Sequence, residues 1–221
     1  ICEHIIAHYN EGWADGFHMG IEYWEIWNEP DLYPKCWKGT PEEFYDLYRT
    51  ASKHLKERFP DIKIGGPAIC GYNLPWLRPF FAMIRDEGLP FDFYSWHRYA
   101  RNVGDIVGDI RLHRALLDEY GFTNTESILD EWNYVRSFCG EEWAYSLRNM
   151  IGMKGAAFTA AVMAASQDEP VDMLEINISC PNVKEGGIAF GQNPNAAEEI
   201  TKAVKKYAKQ PIIMKLGPNV T

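Results

Sequence analysis

Two glutamates, each beside a tryptophan, are the residues of this sequence best suited to acid–base chemistry. Glu29 lies in the string WNEP, and Glu131 lies in the string ILDEWNY. Two carboxyl groups about 5 to 5.5 Å apart can hydrolyse a glycosidic bond with retention, one as nucleophile and the other as acid and then base. We therefore expect Glu29 and Glu131 to face each other across a cleft.

Aromatic and histidine side chains accompany both glutamates. The string SWHRY places His97 and Tyr99 two residues apart, hence on one face of a strand, where they could orient a carboxylate or a sugar hydroxyl. Trp27 and Trp132 directly neighbour the two glutamates and are candidates to line a sugar cleft. The alternative stays open that His97 and the tryptophans only pack in a core.

Short β-rich runs alternate with amphipathic stretches along the chain, and these elements must position the glutamates. The predicted strands are Glu22–Trp27, Ile62–Gly66, Phe91–Trp96, Ser127–Glu131, Val171–Ile178 and Pro211–Leu216. The predicted helices are Pro41–Arg58, Pro75–Glu87, Asp105–Tyr120, Ala144–Ser166 and Ala196–Lys209. Strands separated by helices are parallel, so the pattern predicts an α/β barrel or a doubly wound sheet.

The number of strands favours an incomplete barrel. A closed barrel has eight strands and typically about 250 residues, whereas about six strands are predicted here. Glu29 and Glu131 both fall at predicted carboxyl ends of strands, where parallel barrels carry their chemistry. We expect a TIM-barrel-like parallel (β/α) barrel that lacks about two units.

Composition narrows the function classes. The 221 residues carry a net charge of −9, and no long run of Lys and Arg could follow a phosphate backbone, so we expect no nucleic-acid partner. No apolar run reaches the length of a membrane span, and the first segment has no signal-peptide pattern. The five cysteines are widely spaced and odd in number, which indicates no disulfide framework, no metal site and, by default, a cytoplasmic location.

The last part of the chain differs in composition from the rest. Residues 171–221 contain Phe190 and Tyr207 as their only aromatic side chains and none of the eight tryptophans. The chain also begins at Ile1 within a helix-like pattern and ends just after a strand-like run. We therefore expect a fragment built from two segments of different origin.

The first segment resembles a known family of enzymes. The strings IEYWEIWNEPDLYPKCWKGTPEEFYDLYRTA and FDFYSWHRYA, with the later DEW, are similar to glycoside hydrolase family 39, the β-xylosidase and α-iduronidase group of clan A. The resemblance covers about residues 1–174. It implies a barrel of which the first three strands are missing here.

The family 39 resemblance also implies roles for five residues. Glu29 would be the general acid/base and Glu131 the nucleophile. Asn28 would bind the sugar 2-hydroxyl, Tyr99 would hydrogen-bond the nucleophile, and His97 would contact the sugar. No cofactor is implied, and the substrate would be an oligosaccharide or an aryl glycoside.

The second segment resembles a different enzyme. INISCPNVKEGGIAFGQNP, followed by a helix and IIMKLGPNVT, is similar to class 1 dihydroorotate dehydrogenase, most like the NAD-linked type, over about residues 171–221. That resemblance implies Cys180 as the base, Asn177 and Asn182 as substrate ligands, and Lys215 as a contact of the flavin FMN. The base and its flavin would have to be held together, and this segment alone is too short for that.

Three functions remain as alternatives. The favoured one is retaining hydrolysis of a β-linked, xylose-like sugar by a barrel portion over residues 1–174, with residues 175–221 completing or extending that barrel. The second is FMN-dependent oxidation of dihydroorotate. The third is an inactive chimera that associates with itself through an open barrel edge.

Overall fold

Helices and parallel strands alternate throughout the computed structural model, which describes residues 1–178 and 191–217. The helices are α1 Cys2–Glu11, α2 Pro41–Arg58, α3 Leu74–Glu87, α4 Val103–Glu119, α5 Gly140–Met150, α6 Met153–Ala165 and α7 Pro194–Lys205. The strands are β1 Tyr23–Glu25, β2 Lys63–Cys70, β3 Phe93–Ala100, β4 Glu126–Tyr134, β5 Met173–Asn177 and β6 Ile212–Lys215. None of the helices in these two ranges has both the length and the apolarity that a membrane span requires.

The six predicted strands are all present, and the sheet order follows the chain order from β1 to β6. Helix α2 has the predicted bounds because its start is strongly encoded. The Thr40 side chain accepts a hydrogen bond from the Glu43 amide, and the Glu43 carboxylate accepts one from the Thr40 amide. This capping box precedes Pro41, whose fixed φ suits the first helical position.

The prediction of one helix over Ala144–Ser166 is wrong, because the chain forms α5 and α6 with a break at Ile151 and Gly152. Gly155 of α6 lies against the end of α5. A Cβ added to Gly155 would overlap the carbonyl oxygen of Met150. The α6 sequence is apolar on every side, so its hydrophobic pattern gives no sign of where the helix begins.

The chain forms two compact units, of which the first comprises Ile1–Ser95 and Leu116–Glu126. Within it, β1 and β2 pair in parallel, with Tyr23 opposite Lys63 and Glu25 opposite Gly65. Aromatic rings fill its core, and Phe80 of α3 is their centre. Its ring centroid lies 5.0 to 6.2 Å from those of Phe44, Tyr45, Tyr48, Trp76, Phe81 and Phe91.

The second unit comprises Trp96–Ala115 and Ser127–Thr221. Strands β4 and β5 pair in parallel through Ile128 and Met173, and β5 and β6 pair in parallel from Leu174 opposite Ile212 to Asn177 opposite Lys215. Because all three strands run in the same direction, their carboxyl ends lie at the same edge of the sheet. This edge carries the polar side chains described below.

Removing the central ring of the first unit should destabilise it strongly. Phe80→Ala leaves a cavity among six aromatic rings, so we expect the free energy of unfolding to fall by about 3 to 5 kcal/mol. Urea unfolding followed by circular dichroism measures this change. Phe17→Ala is the matched control, since Phe17 is 48% exposed, and an equal loss in both variants would contradict this account of the core.

Candidate active site

The backbone that carries Glu29 stays tied to β2 after β1 has ended. The Ile26 amide donates to the Gly65 carbonyl and the Glu29 amide donates to the Ala68 carbonyl, both at 2.9 Å. Between these two bonds, Trp27 and Glu29 adopt left-handed backbone conformations, with φ of 74° and 47°. Non-glycine residues are held in this region at an energetic cost, and such residues cluster at functional sites.

A half-buried carboxylate anchors the loop that carries Glu29. Asp31 accepts hydrogen bonds from the Cys70 amide at 3.0 Å and from the Asn73 side chain at 3.1 Å. Burial raises the pKa of Asp31, these hydrogen bonds oppose the rise, and the nearby charge of Glu29 adds to it. Sequence reasoning missed Asp31, although an acidic residue directly after WNEP was a signal.

The predicted sugar contacts near Glu29 are open to solvent. Asn28 is exposed, and Trp27 is 46% exposed with its indole N–H donating to the Cys36 carbonyl at 3.0 Å. The Trp27 ring meets the Trp37 ring edge-on at 5.2 Å between centroids. The Glu29 carboxylate is half-buried and accepts a 3.6 Å contact from the Cys36 thiol.

The Glu131 carboxylate is held by two side chains of β3. The Tyr99 hydroxyl donates a hydrogen bond to Oε1 of Glu131, and Nδ1 of His97 lies 3.9 Å from Oε2. Contact with one carboxylate confirms that His97 and Tyr99 share a face. The predicted ends of these strands were too early, because β3 continues to Ala100 and β4 to Tyr134.

Asp130 gives His97 a second acidic neighbour. Its Oδ1 lies 3.6 Å from Nε2 of His97, and His97 itself is almost completely buried. The imidazole therefore lies between the carboxylates of Asp130 and Glu131.

An acid–base pair, formed by a mostly buried glutamate side chain and a partly exposed lysine, lies on the two strands that follow. The Nζ of Lys215 on β6 is 3.2 Å from Oε1 of Glu175 on β5. Burial raises the pKa of Glu175 to about 7, Lys215 opposes the rise, and the charges of Asp130 and Glu131 add to it. Burial disfavours the charge of Lys215, but the attraction of Glu175 outweighs this and raises its pKa.

Glu175 was missed by sequence reasoning, although an acidic residue inside the apolar string MLEIN was a signal. Its backbone carbonyl accepts a hydrogen bond of 3.0 Å from the indole of Trp132, which fixes that ring beside Glu131. Lys215 is paired with Glu175, and its expected contact with a flavin stays a prediction. Asn177 lies exposed at the end of β5, while Cys180 and Asn182 lie outside the described residues.

The predicted residues thus divide between the two units. The first unit holds Trp27, Asn28 and Glu29, and the second holds His97, Tyr99, Glu131, Trp132, Asn177 and Lys215. Within the second unit the structure brings together Glu131, Tyr99 and His97. The expected separation of about 5 to 5.5 Å between the carboxyls of Glu29 and Glu131 stays a prediction.

Comparison with known proteins gives two kinds of similarity. A family model described as "Glycosyl hydrolases family 39" matches residues 12–178. A solved glucosidase from Croceicoccus marinus is 32% identical, with a TM-score of 0.67 over 78% of this chain and 36% of that one. A monomeric β-xylosidase from Caulobacter crescentus CB15 is 22% identical, with a TM-score of 0.57 over 76% of this chain and 35% of that one.

The other similarity is to a curated flavoenzyme subunit. The catalytic subunit of dihydroorotate dehydrogenase B (NAD(+)) from Alkaliphilus metalliredigens is 68% identical over 126 residues, which are 56% of this chain and 37% of that protein. The chain therefore spans little more than a third of these relatives. The fold prediction, an incomplete parallel (β/α) barrel of the TIM type, is confirmed by the parallel strands and the glucosidase match.

Glu175 should make the stability of the fold depend on pH. Between pH 4.5 and 7 the folded chain keeps the Glu175 proton that the unfolded chain has released, so raising the pH lowers the free energy of unfolding. We expect a loss on the order of 3 kcal/mol over this range, which Glu175→Gln should remove. Urea unfolding at each pH measures the loss.

The control for this measurement is Glu198→Gln, since Glu198 is an exposed carboxylate on α7. This variant should keep the wild-type pH dependence. The same pH dependence in Glu175→Gln and in the unaltered chain would contradict the assignment.

Proposed function

Because the chain belongs to glycosyl hydrolase family 39, we propose that it hydrolyses β-linked, xylose-like glycosides with retention of configuration, using Glu29 and Glu131. The observation that carries this proposal is the Glu131 carboxylate, held by the Tyr99 hydroxyl and flanked by His97. The sugar substrate is further supported by the similarity to the Croceicoccus marinus glucosidase. Its preference for a xylose-like sugar rests on the sequence resemblance.

In the first step, a Glu131 oxygen attacks the anomeric carbon while the bond to the leaving oxygen breaks. Protonated Glu29 donates its proton to that oxygen, so the aglycone departs as a neutral alcohol and a glycosyl ester forms on Glu131. A nucleophile must be oriented before the reaction, and the hydrogen bond from Tyr99 would supply that orientation to Glu131.

In the second step, the now ionised Glu29 removes a proton from water. The water oxygen bonds to the anomeric carbon on the face that the aglycone left, and the ester bond to Glu131 breaks. Glu29 regains its proton and Glu131 its charge, so the cycle closes without any cofactor. Two inversions give a product of the same configuration as the substrate.

The remaining predicted residues would bind the sugar. Asn28 is exposed beside Glu29 and can donate its amide to a sugar hydroxyl. Trp27 offers an aromatic surface near Glu29 in the sequence, and Trp132 offers one next to Glu131. Both indoles donate hydrogen bonds to backbone carbonyls, which fix the rings. Rigid aromatic faces suit the apolar C–H face of a pyranose ring.

A second candidate, FMN-dependent oxidation of dihydroorotate, is favoured by the 68% identity to the dehydrogenase subunit. The described residues do not fit the flavin well. Lys215, which would contact it, is paired with the carboxylate of Glu175 at 3.2 Å. Titration of the chain with FMN, followed by flavin fluorescence, tests this candidate independently.

Glu131→Gln and Glu29→Gln should lose activity in different ways. On an aryl β-xyloside with a poor leaving group, each should lower kcat/KM by roughly a thousandfold or more. An activated aglycone such as 2,4-dinitrophenol leaves without a proton, so Glu29→Gln should keep much of its glycosylation rate on that xyloside. Glu131→Gln should stay inactive on both, because it lacks the nucleophile.

The control is Glu22→Gln, an exposed glutamate next to β1, which should keep full activity. Equal activity of the unaltered chain and of Glu131→Gln would contradict the proposal. A folded chain that hydrolyses neither substrate would support the third alternative, an inactive chimera.

A further inference from the structure

A cavity of about 1000 Å³ lies within the second unit, between the ends of β4 and β5 and the helices α5, α6 and α7. We call it the α5–α6 cavity. Glu131, Tyr99 and Asn177 line one part of it, so it is continuous with the carboxylate proposed as the nucleophile. Its size is at the upper end of ordinary small-molecule sites and exceeds what one sugar ring requires.

The strand ends add Asp130, Asn133 and Glu175 to this polar part, whereas the wall formed by α5 and α6 is mostly apolar. Helix α5 contributes Trp143 and Leu147, and Phe138 precedes it. Leu147 is 38% exposed and Phe138 is 59% exposed, so large apolar side chains face solvent. Exposed apolar surface of this kind commonly marks a binding site.

Small residues on α6 keep the cavity open. Ala156, Ala160 and Ala164 recur every four residues along one face of the helix and all line the cavity. A larger side chain at these positions would fill the space. Ala157 and Ala161 on the same helix are also exposed but lie outside the lining, which separates the cavity face from the rest of α6.

The distribution of polar groups decides what this space can bind. Sugar hydroxyls lose hydrogen bonds to water when they are buried and need partners in the site. Among the lining residues of α5 and α6, only the Trp143 indole and the Thr159 hydroxyl offer such side-chain partners. An alkyl or aryl group has no such requirement and gains free energy from each buried methylene. The carboxylate end of the cavity thus suits the sugar, and the apolar wall suits a hydrocarbon group attached to it.

We propose that the α5–α6 cavity binds the apolar group of a glycoside whose sugar ring lies at Glu131. The inference rests on the proposed function, since it takes Glu131 as the residue that meets the sugar. It narrows the substrate class from β-glycosides in general to glycosides that carry an alkyl or aryl group. Such a group could be the aglycone or an acyl chain on a ring hydroxyl, and the two have the same chemistry.

Binding of thioglycosides tests the proposal without hydrolysis, because the sulfur-linked bond resists cleavage. Methyl and hexyl 1-thio-β-D-xyloside differ by five methylenes, each worth roughly fourfold in affinity when fully buried. We expect the hexyl compound to bind at least about tenfold more tightly in calorimetric titrations, even if only two methylenes are buried. Methyl 1-thio-β-D-xyloside with a hexanoyl ester tests the acyl source in the same way.

Two matched variants locate the effect. Ala160→Trp fills the cavity and should remove the preference for the hexyl or hexanoyl compound. Ala161→Trp adds the same side chain outside the lining and should keep it. Thermal melting by circular dichroism shows whether both variants fold, and Leu147→Asn, which removes apolar wall at a partly exposed position, replaces Ala160→Trp if that variant does not.

The inference is overturned if both compounds bind no better than methyl 1-thio-β-D-xyloside, or if Ala160→Trp and Ala161→Trp change the affinities equally. These outcomes are distinct from failure of the proposed function. Hydrolysis of an aryl xyloside without any dependence on chain length would refute the inference and leave the function intact. Dependence on chain length without hydrolysis would refute the function.

Discussion

The hydrogen bond from Tyr99 to Glu131 is the interaction on which the rest of the site depends. It joins a side chain of β3 to one of β4. Residues two apart on a strand share a face. The same alternation places His97 against the same carboxylate. A carboxylate held by two neighbours needs little rearrangement before it reacts, which suits the nucleophile role that we propose for Glu131.

Negative charge is concentrated around this bond, and the structure compensates for it. Asp130, Glu131 and Glu175 are close enough for their charges to interact, and together they would repel one another. His97 lies between the first two, and Lys215 pairs with the third. Because Glu175 is buried beside other carboxylates, its pKa rises to about 7, and protonation there can relieve the repulsion near neutral pH.

Local signals in the sequence were sufficient for most of the fold. The capping residues Thr40 and Glu43 define the start of α2, and runs of β-branched and aromatic residues locate the strands. Local signals were insufficient where packing between helices determines the bounds of an element. The break at Gly152 depends on how α6 approaches α5, and apolar residues on every side of α6 conceal it.

The candidate site was predictable to a similar extent. Motif residues such as Glu29 and Glu131 stand out by their neighbours, and the alternation rule paired His97 with Tyr99. Glu175 has a local signal, because it is an acidic residue inside an apolar string, but its pairing with Lys215 has none. The α5–α6 cavity is formed by segments far apart in the chain, so no local pattern predicts it. The boundary expected between residues 174 and 175 stays a prediction, while the family match ends at residue 178.

The configuration of the first-formed product tests the central claim most directly. Proton NMR of an aryl β-xyloside during its hydrolysis by the chain shows which anomer of xylose appears before mutarotation mixes the two. Double displacement through Glu131 predicts that β-xylose appears first and α-xylose only later. Early appearance of α-xylose would show a single displacement by water and would contradict the role of Glu131 as a nucleophile.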